Sequence, residues 1–551
     1  MTRILETTDA ASSTATTYAM QEGDVFIGRL SQGGTDWIAV TLVAGHTYSF
    51  GAVGLGAAGS GVTDPWLRLH AANGANLLSD DDGGPGLSAD LTFTATTSGT
   101  YYIEVKSLSG ATDGDYGLVV TEGSRVSYDA ELGAGVIYRD GGSWAATPQT
   151  AVEVTWGVRQ SGDGVGGGAL DASGNPAPFT VLSAAQITAT QSALLNFAEV
   201  GNVSFVQIAP GVTTNSATIL VGAYTSTTDG AGAYAYYPGS TSSGSSDGDM
   251  WINNDSVSTS SIPLGSYESW VFLHELGHAV GLAHPGDYNA AAGVSITYEN
   301  SAQFTQDSQQ YSVMSYFAAT DTQANCPVSY ADTLMLYDIF AIQEMYGVNN
   351  TTRSGNDVYG FNATLGGAYD FTVNSDPLLC IWDGAGIDTL NLSGFAGRQV
   401  INLNDGTFSN VGGFKGNLSI AVGANIENAV GGRGSDRIIG NELANNLRGG
   451  RGIDILSGGA GADTLTGGAG ADGFIFAAGF GRDKITDFSL VDDLISLSSN
   501  LWGGGVKTAV EVLEQFGVVR NGQVVLDFGV PELTLMNLSS EAGLADRLLI
   551  A

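Results

Sequence analysis

Cysteine is nearly absent from this chain of 551 residues: Cys326 and Cys380 are the whole complement. Two are too few for a disulfide scaffold, and the sequence leaves a bridge between them undetermined. Cationic side chains are scarce too, with 19 Lys and Arg against 56 Asp and Glu, a formal charge of −37. Only 14% of residues are charged, and a sparse set of one sign excludes nucleic acid and anionic membrane as partners. No apolar run approaches the length of a membrane-spanning helix. The opening stretch, MTRILETTDAASSTATTYAM, lacks a basic start followed by an apolar core, so no cleavable amino-terminal signal peptide is expected. What remains is a protein of roughly three or four domains. Its carboxylates either solvate a surface or await cations.

Histidine occurs only five times, yet three fall within residues 274–284, HELGHAVGLAH. On a helix, His274 and His278 lie four residues apart and project from one face toward a single ion. Glu275 sits beside the first ligand, where its carboxylate reaches a water rather than the metal. Gly281 can adopt positive φ and break the helix, returning His284 as a third ligand. Pro285 stops the helix from resuming. Three neutral imidazoles and an open fourth position describe a catalytic Zn²⁺ site.

The chain before and after this motif is organised in blocks. Residues 1–23 are rich in Ser, Thr and Ala, which predicts disorder or a short pro-segment. Residues 24–124 alternate in short runs such as DWIAVTL, HTYSFGAV, TYYIEV and YGLVV, the pattern of a β-sandwich. Through Asp36-Trp37, DPWLRLH, SDDDG, SGTYYIEV and GDYGL this block resembles the bacterial pre-peptidase C-terminal domains. Asp80, Asp81 and Asp82 read as an acidic solvated turn in preference to a calcium site. Residues 125–349 mix strands and helices, an α+β catalytic domain. Ser183 and Gln186 form a capping box that opens a helix to about Val200, and the metal helix begins near Tyr267.

Thirty residues beyond His284 stands QYSVMSY. After HExxHxxGxxH, a Met-containing turn completes the metzincin signature, with Met314 beneath the site and Tyr316 in reach of the zinc. Residues 150–551 resemble the serralysins, zinc proteases of this clan, through HELGHAVGLAHPGDYN, QYSVMSY, AIQEMYG and TTRSGNDVYGFN. Tyr337-Asp338 departs from the family's acidic pair. The resemblance implies that Tyr316 ligates resting zinc, swings away from it, and then donates a hydrogen bond to the oxyanion. An extended substrate would pair with an edge strand at Ala233, Tyr234 and Ala235.

Residues 350–551 hold 36 of the chain's 80 glycines. From 431 the sequence repeats every nine residues: GGRGSDRII, GNELANNLR, GGRGIDILS, GGAGADTLT, GGAGADGFI. This is the RTX pattern of a parallel β-roll. Bare glycine carbonyls and one carboxylate per repeat build oxygen cages for Ca²⁺. The cage residues are Gly432, Gly434 and Asp436; Gly450, Gly452 and Asp454; Gly459, Gly461 and Asp463; Gly468, Gly470 and Asp472. Asn445 replaces the Asp of the second repeat, and Ile438, Ile455, Leu465 and Phe474 are expected to stack inward. Family resemblance adds Arg353, Gly355, Asp357, Asp383, Gly386, Asp388 and Glu427.

The expected protein is therefore multidomain: β-sandwich, α+β metzincin protease and β-roll. It is an extracellular, monomeric Zn²⁺ endopeptidase that needs several Ca²⁺ ions to fold. Its ADRLLIA ending resembles the uncleaved export signal of type I secretion substrates. The competing reading, a non-enzymatic calcium-dependent RTX surface or adhesion protein, leaves the intact HExxHxxGxxH unexplained.

Overall fold

The computed structural model describes residues 2–31, 33–56, 61–108, 114–139, 142–160, 171, 173, 175–208, 217–228, 230–239, 247–290, 294–326 and 330–551. Most of the Gly-rich stretch 161–175, which the sequence reads as a loop, lies outside them. The chain divides into two compact units, Met1–Thr322 with Ser329–Asn349, and Gln323–Val328 with Asn350–Ala551.

Alternating apolar residues in the first 122 positions form two sheets facing each other. One runs in the order Arg3–Leu5, Val25–Leu30, Gly114–Glu122, Thr47–Leu55, Ala89–Thr94; the other Ala19–Met20, Thr35–Leu42, Gly99–Ser107, Pro65–His70, Asn76–Asp80. Phe26, Phe50, Ile38, Leu67, Val105 and Tyr116 fill the space between them. The expectation of a disordered lead-in is corrected here. Arg3–Leu5 adds in parallel to Val25–Leu30, and Ala19–Met20 to Thr35–Leu42. The linking loop is tied down by its own polar groups: the Tyr18 phenol accepts from Thr7 and Thr8 amides at 2.8 and 3.0 Å, and Glu6 accepts from Ala10 and Arg29 amides at 2.7 and 2.6 Å. Composition suggested disorder because Ser and Thr dominate, but Ile4, Tyr18 and Met20 supply apolar anchors to the sandwich core.

A helix α1 (Ala130–Tyr138) leads from the sandwich to a third sheet. Its parallel strands follow the order Val203–Gln207, Val152–Val158, Ile219–Tyr224, Met250–Asn253, with Ala233–Ala235 antiparallel at the edge. Ile219–Tyr224 and Met250–Asn253 are buried at every residue, as central parallel strands must be. The capping box at Ser183 and Gln186 opens α2 (Ala184–Val200) as its sequence predicts. Then come α3 (Tyr267–Ala279), the short α4 (Tyr298–Ser301) and α5 (Leu336–Tyr346).

In the second unit the strands alternate between two parallel sheets, so each turn of the coil contributes one strand to each. Register repeats every 18 residues: Arg437 pairs Ile455, and Asn446 pairs Thr464. Ile438, Leu456 and Phe474 stack inward from one sheet, Leu447 and Leu465 from the other, all fully buried. Ile455 is an exception to the expected inward set: it is 37% exposed while Leu456 is buried. The apolar residue of each nonapeptide is the eighth, and Ile455 is the seventh, facing outward on the pleat. Beyond the repeats lies α6 (Ala509–Phe516), and Leu548–Ile550 joins the second sheet beside Leu494–Leu497. Cys326 and Cys380 both remain buried thiols.

Removing residues 1–20 strips two strands from the sandwich. We expect a loss of at least about 1 kcal/mol, or about 4–8 °C in Tm for a domain of this size. Unchanged melting would show that the segment is dispensable.

Candidate metal centre

The polar side of α3 faces a turn and a loop instead of water. His274, His278 and His284 are 2%, 7% and 7% exposed, and their Nε2 atoms converge, with His284 3.1 Å from each of the other two. These contacts are not hydrogen bonds. His274 Nδ1 donates to the Val313 carbonyl at 2.9 Å, His278 Nδ1 to that of Leu282 at 2.7 Å, and His284 to the Tyr288 backbone. With each proton held on the far nitrogen, three lone pairs point at one another. Burial lowers the pKa of His274 to about 3 and of His278 to about 4 and drives His284 well down, so all three stay neutral. Tetrahedral ligands at about 2.0–2.1 Å from an ion lie about 3.3 Å apart, close to this spacing. The donor set fits a zinc-sized cation.

The helix ends where the third histidine must return. Gly281 has φ 111°, and a Cβ there would strike the Gly142 carbonyl. Tyr346 and Trp144 secure the last turn by donating to the Val280 and Ala279 carbonyls at 2.7 and 2.8 Å. Arg139, capping α1, donates to the carbonyl of His284 at 2.8 Å.

Met314 is fully buried under the helix, where Gly277 admits it: a Cβ on Gly277 would collide with the Met314 sulfur. The Val313 carbonyl accepts from Trp270 Nε1 as well as from His274. Asp338 grips this turn from below, accepting from the Ser312 hydroxyl at 2.6 Å and from the Val313 and Met335 amides at 2.8 Å each. Tyr337, the departure from the serralysin pattern, reaches the Tyr128 carbonyl at 2.9 Å. Its ring fills the space that a side chain at Gly133 of α1 would need. The motif's spacing did not reveal Gly277 or Asp338. Gly277 hides at a variable motif position, and a buried Asp at a helix start reads as an ordinary cap.

Glu275 is 9% exposed, and burial raises its pKa to about 8. The Tyr316 ring lies 4.6 Å from that of His284 and 5.5 Å from that of His274. Burial first, then the charge of Glu275, holds its phenol well above the ordinary value, while the Ala290 amide pulls the other way. Ala233, Tyr234 and Ala235 form the sheet's edge strand, half-buried, and the chain continues to Tyr237, whose ring sits 5.3 Å from His278.

The second unit gathers carboxylates. Carboxylate oxygens of Asp357, Asp383 and Asp388 lie within 4.8 Å of one another. The Asp388 carboxylate accepts from the Asp357 amide at 2.6 Å, and Glu427 from the Asp388 amide at 2.7 Å. Arg353 takes a positive φ of 49°, and a Cβ on Gly386 would meet the Gly355 carbonyl. In the repeats, each Asp accepts from the amide one coil below: Asp436 N to Asp454 at 2.7 Å, Asp454 N to Asp472 at 2.9 Å, Asn445 N to Asp463 at 2.8 Å. The ladder continues past the repeats through Asp483 and Asp493, which strict nine-residue counting misses because their spacing stretches to 20 and 21 residues. One oxygen each of Asp388, Asp454, Asp463 and Asp483 is buried without a hydrogen-bond partner. Gly432, Gly450 and Gly468 stack with carbonyls where side chains would sit, as do Gly434, Gly452 and Gly470. Gly459 and Gly461 pack in the same way on the Asn441 and Leu443 carbonyls.

Metallopeptidase AprA of Pseudomonas marginalis is 40% identical over 427 residues, spanning 75% of this chain and 87% of that protein. The chain belongs to the serralysin family. Serralysin of Photorhabdus luminescens is 41% identical over 350 residues, 61% of this chain and 70% of its own length. Serralysin B of Dickeya chrysanthemi is 42% identical over 271 residues, 48% and 54%. Family models match in three places: "Peptidase M10 serralysin C terminal" at 348–543, "Dual-action HEIGH metallo-peptidase" at 171–303 and "Bacterial pre-peptidase C-terminal domain" at 33–107. The last match gives this serralysin-family member a sandwich ahead of its peptidase region.

Replacing Asp338 with Ala leaves three buried donors without an acceptor. We expect a loss of about 3 kcal/mol or more in urea unfolding; a loss under about 1 kcal/mol would mean that the turn does not depend on this carboxylate.

Proposed function

We propose that the chain is a secreted zinc endopeptidase that cleaves extracellular proteins with broad specificity. The observation that carries this reading is the convergence of three buried, neutral imidazoles beside a buried glutamate in a serralysin-family chain. His274, His278 and His284 hold the ion, with Tyr316 as a displaceable fourth ligand. When bound, zinc supplies Lewis acidity, making water nucleophilic near neutral pH and polarising the scissile carbonyl. Glu275 takes the proton of the attacking water and delivers it to the leaving amine. Burial favours its protonated form over that of an exposed carboxylate, which suits a group that must take up a proton and pass it on. Tyr316 donates its phenolic hydrogen to the oxyanion. The edge strand Ala233–Ala235 receives the substrate backbone by strand addition, so affinity comes from main-chain bonds with loose sequence demands.

The division into a sandwich at 24–124, a metzincin domain at 125–349 and an RTX β-roll at 350–551 belongs to the same proposal. The buried, unpartnered Asp oxygens and stacked carbonyls of the roll support several structural Ca²⁺ sites. Cytosolic calcium is too low to fill sites of millimolar affinity, so the chain stays unfolded until a type I machine exports it, and then acts as a monomer.

Three outcomes follow. Glu275→Gln should lower kcat on casein by about 10²-fold or more while retaining one zinc per chain; full activity, or loss of the metal, contradicts the assignment. Phenanthroline should abolish casein zymography, and activity insensitive to it removes the zinc reading. For calcium, burial above all raises the pKa of Asp388, Asp454 and Asp463 to about 7, against about 3.9 unfolded. A raised pKa stabilises the calcium-free roll below about pH 4, and this contribution is lost as pH rises through about 7. Without calcium, the roll should therefore gain far-UV circular dichroism as pH falls from about 7.5 toward about 4. A calcium-free spectrum that does not change over that range contradicts the raised carboxylates.

A further inference from the structure

The mechanism leaves one buried carboxylate unused. Asp307 is fully buried and belongs to neither the zinc motif nor the calcium ladder. Its Oδ1 accepts two hydrogen bonds, from the Tyr288 phenol at 2.8 Å and from the Ser315 hydroxyl at 2.7 Å, while Oδ2 is buried without a partner. Both donors border the metal centre. Ser315 immediately precedes Tyr316, and its hydroxyl also accepts the Phe317 amide at 3.2 Å, so it fixes the backbone on both sides of that tyrosine. The Tyr288 ring stacks on His284 at 5.5 Å and 18° and lies 5.2 Å from the Tyr316 ring. Its phenol oxygen is also hydrogen-bonded to the Tyr316 backbone. One oxygen atom therefore anchors the two residues that frame Tyr316.

We propose that Asp307 is a positioning residue for Tyr316, holding it through Ser315 and Tyr288 at the distance from the histidine cluster that the reaction requires. This rests on the reading of Tyr316 as a metal-reaching phenol. Asp307 touches neither substrate nor metal; it acts through its two partners. Because both bonds end on Oδ1, an amide oxygen can replace it, so position and not charge is the requirement.

The test uses the full-length protein with copper(II) in place of zinc, where a coordinated phenolate gives a visible charge-transfer band. Wild type should show the band, and Tyr316→Phe should lack it. Asp307→Ala should keep one copper per chain but lose at least half of the band. With zinc restored, its kcat should fall about 10- to 100-fold while KM changes less than about twofold. Asp307→Asn should recover most of the band and of kcat. Ser315→Ala and Tyr288→Phe each remove one arm and should each weaken the band, which keeps the test sound if Asp307→Ala misfolds. A band unchanged in both single-arm variants, or Asp307→Asn as impaired as Asp307→Ala, overturns the role of Asp307. A wild-type copper protein without the band instead removes the Tyr316 reading, and the Asp307 proposal falls with it.

Discussion

Three imidazole nitrogens whose lone pairs face one another inside the protein set the terms for the peptidase region. Without a cation that arrangement is repulsive and desolvated, so the surrounding structure must hold it in place. It does so at the opposite ring nitrogens. Carbonyls of Val313, Leu282 and the Tyr288 backbone accept the Nδ1 protons and fix each tautomer. An outer hydrogen bond of this kind orients a histidine ligand and raises its basicity.

Each carbonyl is itself held. Val313 sits on a turn gripped by Asp338, whose carboxylate also receives the amide of Met335, the residue that opens α5, so the floor of the site and that helix share one anchor. The loop that returns His284 hangs on α1: the Ala283 amide donates to the Ile137 carbonyl at 2.6 Å. That helix follows the sandwich directly, and the Gly86 amide of the sandwich donates to Asp287 at 2.9 Å, three residues past His284. The amino-terminal sandwich is thus in contact with the segment that carries the third histidine. Tyr337 belongs to the same joint, through the Tyr128 carbonyl and Gly133 of α1.

The second unit applies the same rule with oxygen in place of nitrogen. Stacked carbonyls and half-satisfied carboxylates are costly when buried alone, and the cost is repeated at every coil. Only glycine lets the coils approach so closely, since a Cβ at Gly470 would occupy the Gly452 carbonyl. This explains why glycine recurs at the same places from repeat to repeat.

Features set by short, chemically demanding spacings were legible in the sequence: the zinc motif, the Met-turn, the capping box and the nine-residue repeat. Those set by long-range partners were not. Arg3–Leu5 and Ala19–Met20 are strands because the sandwich offers open edges, which a Ser/Thr-rich composition does not announce. Asp307 and Asp338 gain their meaning from donors 8 to 26 residues away in sequence. The shift from Ile455 to Leu456 is a one-residue error in phase, which on a period-two strand exchanges inside for outside. X-ray absorption at the zinc edge of the secreted protein tests the central claim most directly. One zinc per chain bound by three nitrogens at about 2.0–2.1 Å is the predicted result. A protein that cleaves casein with no bound metal, or a zinc held by other ligands, would contradict it.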